Sequence, residues 1–215
     1  MIEIIPAILT NDPKELEEKI MPLEGKVRRV QIDIVDGNLV DNRTVSPDVL
    51  GNLETSLLID FQLVTKEPVD WLERCVKGQG DRIIGHVEGM TSQQEFMGRV
   101  VELGAKVGLA LDLATPVSAI EENILANLDV VVLMSVPMGF GGQEFSTGVL
   151  AKVSELDKIR VQDHASFRIC VDGGVKEDNI RSIVEAGADE VAVGRSLWEG
   201  DLIDNIKRLQ EAAHL

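Results

Sequence analysis

DVVVLMSVPMGFGGQEFSTGVLAKVSELDKIRV, residues 129–161, reads as a strand, a glycine-rich turn and a helix in succession. Its opening DVVVLMSV (129–136) is short, valine-rich and almost wholly apolar. Such a run without polar alternation fits a strand buried on both faces, as in a parallel sheet covered by helices. VLAKVSELDKIRV (149–161) instead spaces its apolar residues three and four apart, the period of a helix with one buried face. A buried strand followed by an amphipathic helix is the repeating element of a βαβ fold.

The same element recurs in both directions along the chain. Strand-like runs stand at EIIPAIL (3–9), VRRVQIDIV (27–35), LLIDFQLV (57–64), RIIGHVE (82–88), KVGLALDL (106–113), FRICVDG (167–173) and EVAVGRS (190–196). Helical patterns lie between them, among them DPKELEEKIMPL (12–23), SQQEFMGRVVELG (92–104) and LIDNIKRLQEAA (202–213). Several begin at Asp, Ser or Pro and stop at Gly, as capped helices do. SPDVLGNLE (46–54) is a weaker helix. Eight strands spaced roughly 25 residues apart, with no linker, predict an α/β fold, a (β/α)8 TIM barrel. Residues 1–215 are expected to form a single domain. A doubly wound open sheet is the alternative architecture.

Composition narrows the function. The net charge is −16, from 37 acidic and 21 basic residues, which argues against a nucleic-acid partner. It leaves room for a small phosphorylated ligand, because backbone N–H groups can bind phosphate inside an acidic protein. No apolar run approaches the roughly 18 residues of a membrane span. The N-terminal MIEIIPAILTNDPK lacks a basic region and does not resemble a signal peptide. With two distant cysteines, Cys75 and Cys170, the expectation is a cytoplasmic protein with reduced thiols. Homo-oligomerisation is left open.

In a barrel of this kind the chemistry gathers at the C-terminal strand ends, and that is where Asp33, Gln62, His86, Asp112 and Asp172 fall. Asp33 and Asp172 stand on strands two and seven, on opposing sides of the mouth. Two carboxylates so placed can take a carbon-bound proton from one face of a ligand and return one to the other, inverting a stereocentre. The readings without chemistry are an ion-paired Asp33 and a simple turn at Asp172-Gly173.

Three glycine-bearing turns follow strands six to eight: GFGGQ with Gly141, Gly142 and Gln143, VDGGV with Gly173 and Gly174, and VGRS with Gly194, Arg195 and Ser196. Loops after strands seven and eight are the usual phosphate site of this fold. Arg195 either adds a charge-assisted hydrogen bond to a phosphate or pairs outward. His86 is either a satisfied barrel histidine or a ligand contact, and Asp112 a loop acceptor.

IIPAIL, QIDIVDGNLVDN, HVEG, MSVPMGFGGQEF, CVDGGV and VGRSLW, in order from about residue 4 to 198, resemble the ribulose-phosphate 3-epimerases. The resemblance implies Asp33 and Asp172 as the acid/base pair interconverting ribulose 5-phosphate and xylulose 5-phosphate, with the glycine turns holding the phosphate. It also implies a divalent metal at the positions of Gln31, Asp33, Gln62 and Asp172. Here Gln31 and Gln62 replace the family's two histidines, and Ala7, Val35 and Val64 replace its serine and methionines. Amide oxygens are poor zinc ligands, so at most a loose Mg²⁺ or Mn²⁺ site is expected, and no cofactor is assigned. The glutamine N–H groups become candidate oxyanion donors. The alternative is a non-catalytic phosphosugar-binding barrel that has lost the metal site. A decarboxylase of the D-x-K-x-x-D type is disfavoured, because DFQLVT (60–65) lacks the lysine and the second aspartate.

Overall fold

The computed structural model describes residues 2–214. Eight parallel strands close into a barrel in chain order: β1 (Glu3–Ile8), β2 (Arg29–Val35), β3 (Leu58–Val64), β4 (Gly80–His86), β5 (Lys106–Leu111), β6 (Val130–Met134), β7 (Arg168–Asp172) and β8 (Glu190–Val193). β8 pairs with β1 from Glu3↔Glu190 to Pro6↔Val193 and completes the ring. The open-sheet alternative is excluded by that closure.

Seven helices wrap the outside: α1 (Pro13–Ile20), α2 (Leu72–Lys77), α3 (Gln93–Glu102), α4 (Glu122–Leu125), α5 (Val149–Gln162), α6 (Ile180–Glu185) and α7 (Leu202–Ala212). Three of them, α1, α3 and α7, start with the expected side-chain cap. Asp12 accepts from Lys14 N ahead of Pro13, Ser92 from Glu95 N, and Asp201 from Ile203 N and Asp204 N. The weak segment after β2 forms only a 3-10 turn, Pro47–Leu50. β8 is shorter than expected because the chain leaves the sheet at Gly194 and turns through Arg195–Leu197.

Alternation along the strands sorts the interior into two compartments. Ile32, Ile34, Phe61 and Leu63 face outward into the helix-packed core, whereas Ala7, Ile84, Ala110, Val132, Cys170 and Ala192 fill the barrel. Below that apolar layer lies an ionic floor. Asp60 accepts from Arg29 and, at 2.6 and 3.1 Å, from Arg82, which also reaches Glu190 at 2.8 Å. Asp60, Arg82 and Glu190 are almost fully buried, so each charge depends on its partners. Burial pushes Asp60 up to about 6 against the opposing pull of both arginines. Salt bridges fill the barrel's lower end, and its larger opening lies at the C-terminal strand ends.

Candidate active site

A cavity of about 690 Å³ occupies that open end. Asp33, Gln62 and Asp172 line it, together with all eight residues of the three glycine turns: Gly141, Gly142, Gln143, Gly173, Gly174, Gly194, Arg195 and Ser196. Gln31 and His86 are fully buried and lie behind its wall. The cavity is therefore polar at its base, glycine-rich on one rim, and apolar between at Ala7, Val64, Met134 and Val136.

Gln31 joins the two carboxylates. Its Nε2 donates to Asp33 Oδ1 at 2.9 Å and to Asp172 Oδ2 at 2.8 Å, one hydrogen to each. The amide oxygen could not take this place, since it would face two carboxylate oxygens with no hydrogen between them. Burial raises the pKa of Asp33 well above 3.8, the charge of Asp172 adds to the rise, and the Gln31 hydrogen bond opposes it. Asp172 is also raised by burial, against Gln31, His86 and Gln62. The pair therefore holds a proton more readily than free aspartates.

His86 is braced on both sides. Its Nδ1 lies 3.3 Å from Glu88 Oε2, and its Nε2 lies 3.3 Å from Gln62 Nε2. A carboxylate acceptor at Nδ1 places the ring hydrogen there, leaving Nε2 to accept from the Gln62 amide. Glu88 is held at about 2: burial raises it, but hydrogen bonds from His86, Thr115 and the Asp112 backbone prevail. His86 is thus a satisfied barrel histidine that orients Gln62. Asp112 is a loop acceptor, its Oδ1 receiving Met138 N at 2.8 Å.

On the rim, backbone donors converge. Among the described residues, the N–H groups of Gly174, Val175, Arg195 and Ser196 find no acceptor. Gly142 at φ +76° and Gly174 at φ +59° let the β6 and β7 loops pass close to Arg195 and Phe145 respectively. Arg195 is exposed and has no ion pair among the described residues, which removes the outward-pairing reading. Gln143 is committed to bracing its own loop, with Nε2 donating to Pro137 O at 2.7 Å and Phe140 O at 2.9 Å. Ser196 Oγ donates to Val175 O at 3.0 Å and ties the last two turns together.

Comparison with known proteins agrees with this geometry. The model of the ribulose-phosphate 3 epimerase family matches residues 3–198. The chain is 37% identical to ribulose-phosphate 3-epimerase 1 of Cupriavidus necator, over 99% of this chain and 92% of that protein. It is 32% identical to the Treponema pallidum ribulose-phosphate 3-epimerase, over 93% of this chain and 92% of that protein.

The chain belongs to the ribulose-phosphate 3-epimerase family.

A crystal structure of Vibrio cholerae 3-keto-L-gulonate-6-phosphate decarboxylase superposes with a TM-score of 0.68, covering 99% of this chain and 97% of that one. At 10% identity this likeness speaks for the barrel alone.

The divalent metal implied by the family resemblance does not fit the residues present here. Gln31 Nε2 lies between the two carboxylates, so a cation shared by them would meet N–H hydrogens. The Gln31 and Gln62 Oε1 atoms are buried without partners, and neither imidazole nor thiolate joins the set. Among the described residues no group of three or more His, Cys, Asp or Glu side chains converges on a metal position. No step below is routed through a metal.

Sequence reading had not singled out Lys19, Phe140, Lys176 or Trp198, which line the same cavity. Lys19 pairs with Glu15 at 2.7 Å and sits 5.6 Å from the Trp198 ring, while Lys176 is exposed without an ion pair among the described residues. Glu88 was also missed, although its place two residues after His86 at a strand end is a readable signal.

Proposed function

We propose that this barrel interconverts ribulose 5-phosphate and xylulose 5-phosphate by inverting C3. The observation that carries the reading is the carboxylate pair on one amide, at the base of a cavity whose rim is a cradle of free N–H groups. Family membership supports the same activity. The phosphate sits on the N–H groups of Gly174, Val175, Arg195 and Ser196, with the Arg195 guanidinium adding a charge-assisted bond. The ketose chain then runs across the apolar wall toward Asp33 and Asp172.

One carboxylate removes the C3 proton, and the C–H electron pair moves into an enediolate. The other, protonated, carboxyl delivers its proton to the opposite face of C3. The pair ends with one proton, as it began, but on the other aspartate. Either aspartate serves as base and the other as acid, according to the direction of the reaction, since both carboxyls are raised. Gln62 is the oxyanion donor: its Nε2 already bonds His86, and its second contact is the weakly accepting Met134 Sδ at 3.4 Å, which a ketose oxygen displaces. The oxyanion role expected of both glutamines falls to Gln62 alone, because Gln31 does not reach the cavity.

Asp33→Asn and Asp172→Asn should each lower turnover by about 10²–10⁴-fold while calorimetric binding of the sugar phosphate persists. Full activity in either variant refutes the two-carboxylate mechanism.

A further inference from the structure

Gln31 stands where nothing in a purely structural role would require an amide. Of its register partners in the barrel, Ala7 on β1 needs no hydrogen-bond partner, and Asp60 on β3 is already held by Arg29 and Arg82. Gln31 is fully buried, its Oε1 has no partner, and both hydrogens of its Nε2 are spent on carboxylates, one 2 residues and the other 141 residues away in the chain. Leaving a buried amide oxygen unsatisfied is costly, so the compensating interaction lies on the nitrogen side.

We infer that the Gln31 carboxamide is the tether of the acid/base pair, a neutral group that fixes the spacing of Asp33 and Asp172 and occupies the place between them that a cation would need. The inference rests on the proposed epimerisation for its purpose, but its geometry stands apart from that reading. One amide nitrogen supplies two donors, and each carboxyl uses one oxygen to accept, whichever of the two carries the shared proton. The tether is therefore the same before and after turnover has moved that proton across the site. It also holds without any ligand, because Gln31 lies behind the cavity wall and contacts no substrate. Gln31 is thus a positioning residue. Gln62 makes no such bridge, its nitrogen lying against His86 Nε2 and Met134 Sδ.

Two measurements test this. Gln31→Leu keeps the volume and removes both donors, so kcat should fall about 100-fold with KM for the sugar phosphate unchanged, since only the carboxyl positions are disturbed. An unchanged kcat overturns the tether, and so does a loss expressed only in KM. Separately, Zn²⁺ titration by calorimetry compares the wild type with Gln31→His, which presents a ring nitrogen lone pair in place of the second N–H. The variant should bind Zn²⁺ about 10-fold more tightly or better. Equal affinity in the two proteins, removed from both by Asp172→Asn, means that a cation already enters between the aspartates, and the inference fails. The titration needs no turnover, so a protein inactive on ribulose 5-phosphate would sink the proposed function while leaving the tether to be judged by the titration.

Discussion

Gly174→Ala separates the phosphate cradle from the chemistry. Gly174 holds φ +59°, a conformation that costs an alanine about 1 kcal/mol. The added Cβ would lie 2.6 Å from Phe145 N, 2.9 Å from Phe145 Cα and 3.0 Å from Gln143 O, all backbone atoms of the β6 loop. Ordinary contact begins near 3.4 Å, so Gly174 and that loop must part by about 0.8 Å. The Gly174 N–H, one of the four cradle donors, is displaced from the other three. A phosphate oxygen about 2.9 Å from that N–H is then about 3.7 Å away, beyond hydrogen-bond range. One such charge-assisted bond is worth about 1.5–3 kcal/mol, which corresponds to a KM roughly 10- to 100-fold higher. Steady-state kinetics on ribulose 5-phosphate reads this directly, and inorganic phosphate as a competitive inhibitor should weaken by the same factor. The melting temperature should drop by about 3–10 °C. A folded variant whose KM stays within about twofold of the wild type would refute the cradle, since the displaced bond alone exceeds that change.

Three further outcomes follow from the electrostatics. Because one proton must reside on the aspartate pair, kcat/KM against pH should be bell-shaped, with both limbs above the ordinary Asp value of 3.8; a rate that levels off at pH 4 and stays flat to pH 9 would contradict it. The raised Asp33 favours the protonated folded state, so its contribution to stability is full below about pH 4 and is lost as pH rises through the folded value. Asp33→Asn should therefore melt above the wild type at pH 8, with the gap closing toward pH 4, and a gap that widens on acidification would be inconsistent. In the floor, Arg82→Leu strips Asp60 and Glu190 of their shared partner and should cost about 3–5 kcal/mol by urea denaturation, whereas a loss below about 1 kcal/mol would mean the network contributes little.

The barrel was legible because its signal is repetitive: eight apolar runs, all but the second followed by a helix, leave few other closures. The glycine turns were legible for a related reason, since loops after consecutive strands of a closed barrel must meet on one rim. What the sequence concealed were contacts between side chains distant along the chain. Gln31 and Asp172 are 141 residues apart, and nothing local shows that one amide nitrogen would span from Asp33 to Asp172. Local spacing placed Gln31 on the face of Asp33 but not its depth, so it read as a cavity residue when it lies behind the wall. The floor was hidden similarly. Arg29, Asp60, Arg82 and Glu190 come from four strands, and each alone reads as an ordinary charged strand end. Strand ends moved by one to three residues where glycine turns or 3-10 turns drew the chain out of the sheet, as at His86 and Gly194.

The most direct test of the two-carboxylate inversion follows C3 by NMR as ribulose 5-phosphate turns over in deuterated water. A base on one face and a separate acid on the other require the xylulose 5-phosphate formed early to carry solvent deuterium at C3 while unreacted ribulose 5-phosphate keeps its hydrogen. Product that retains the original C3 hydrogen, or no turnover at all, would contradict it.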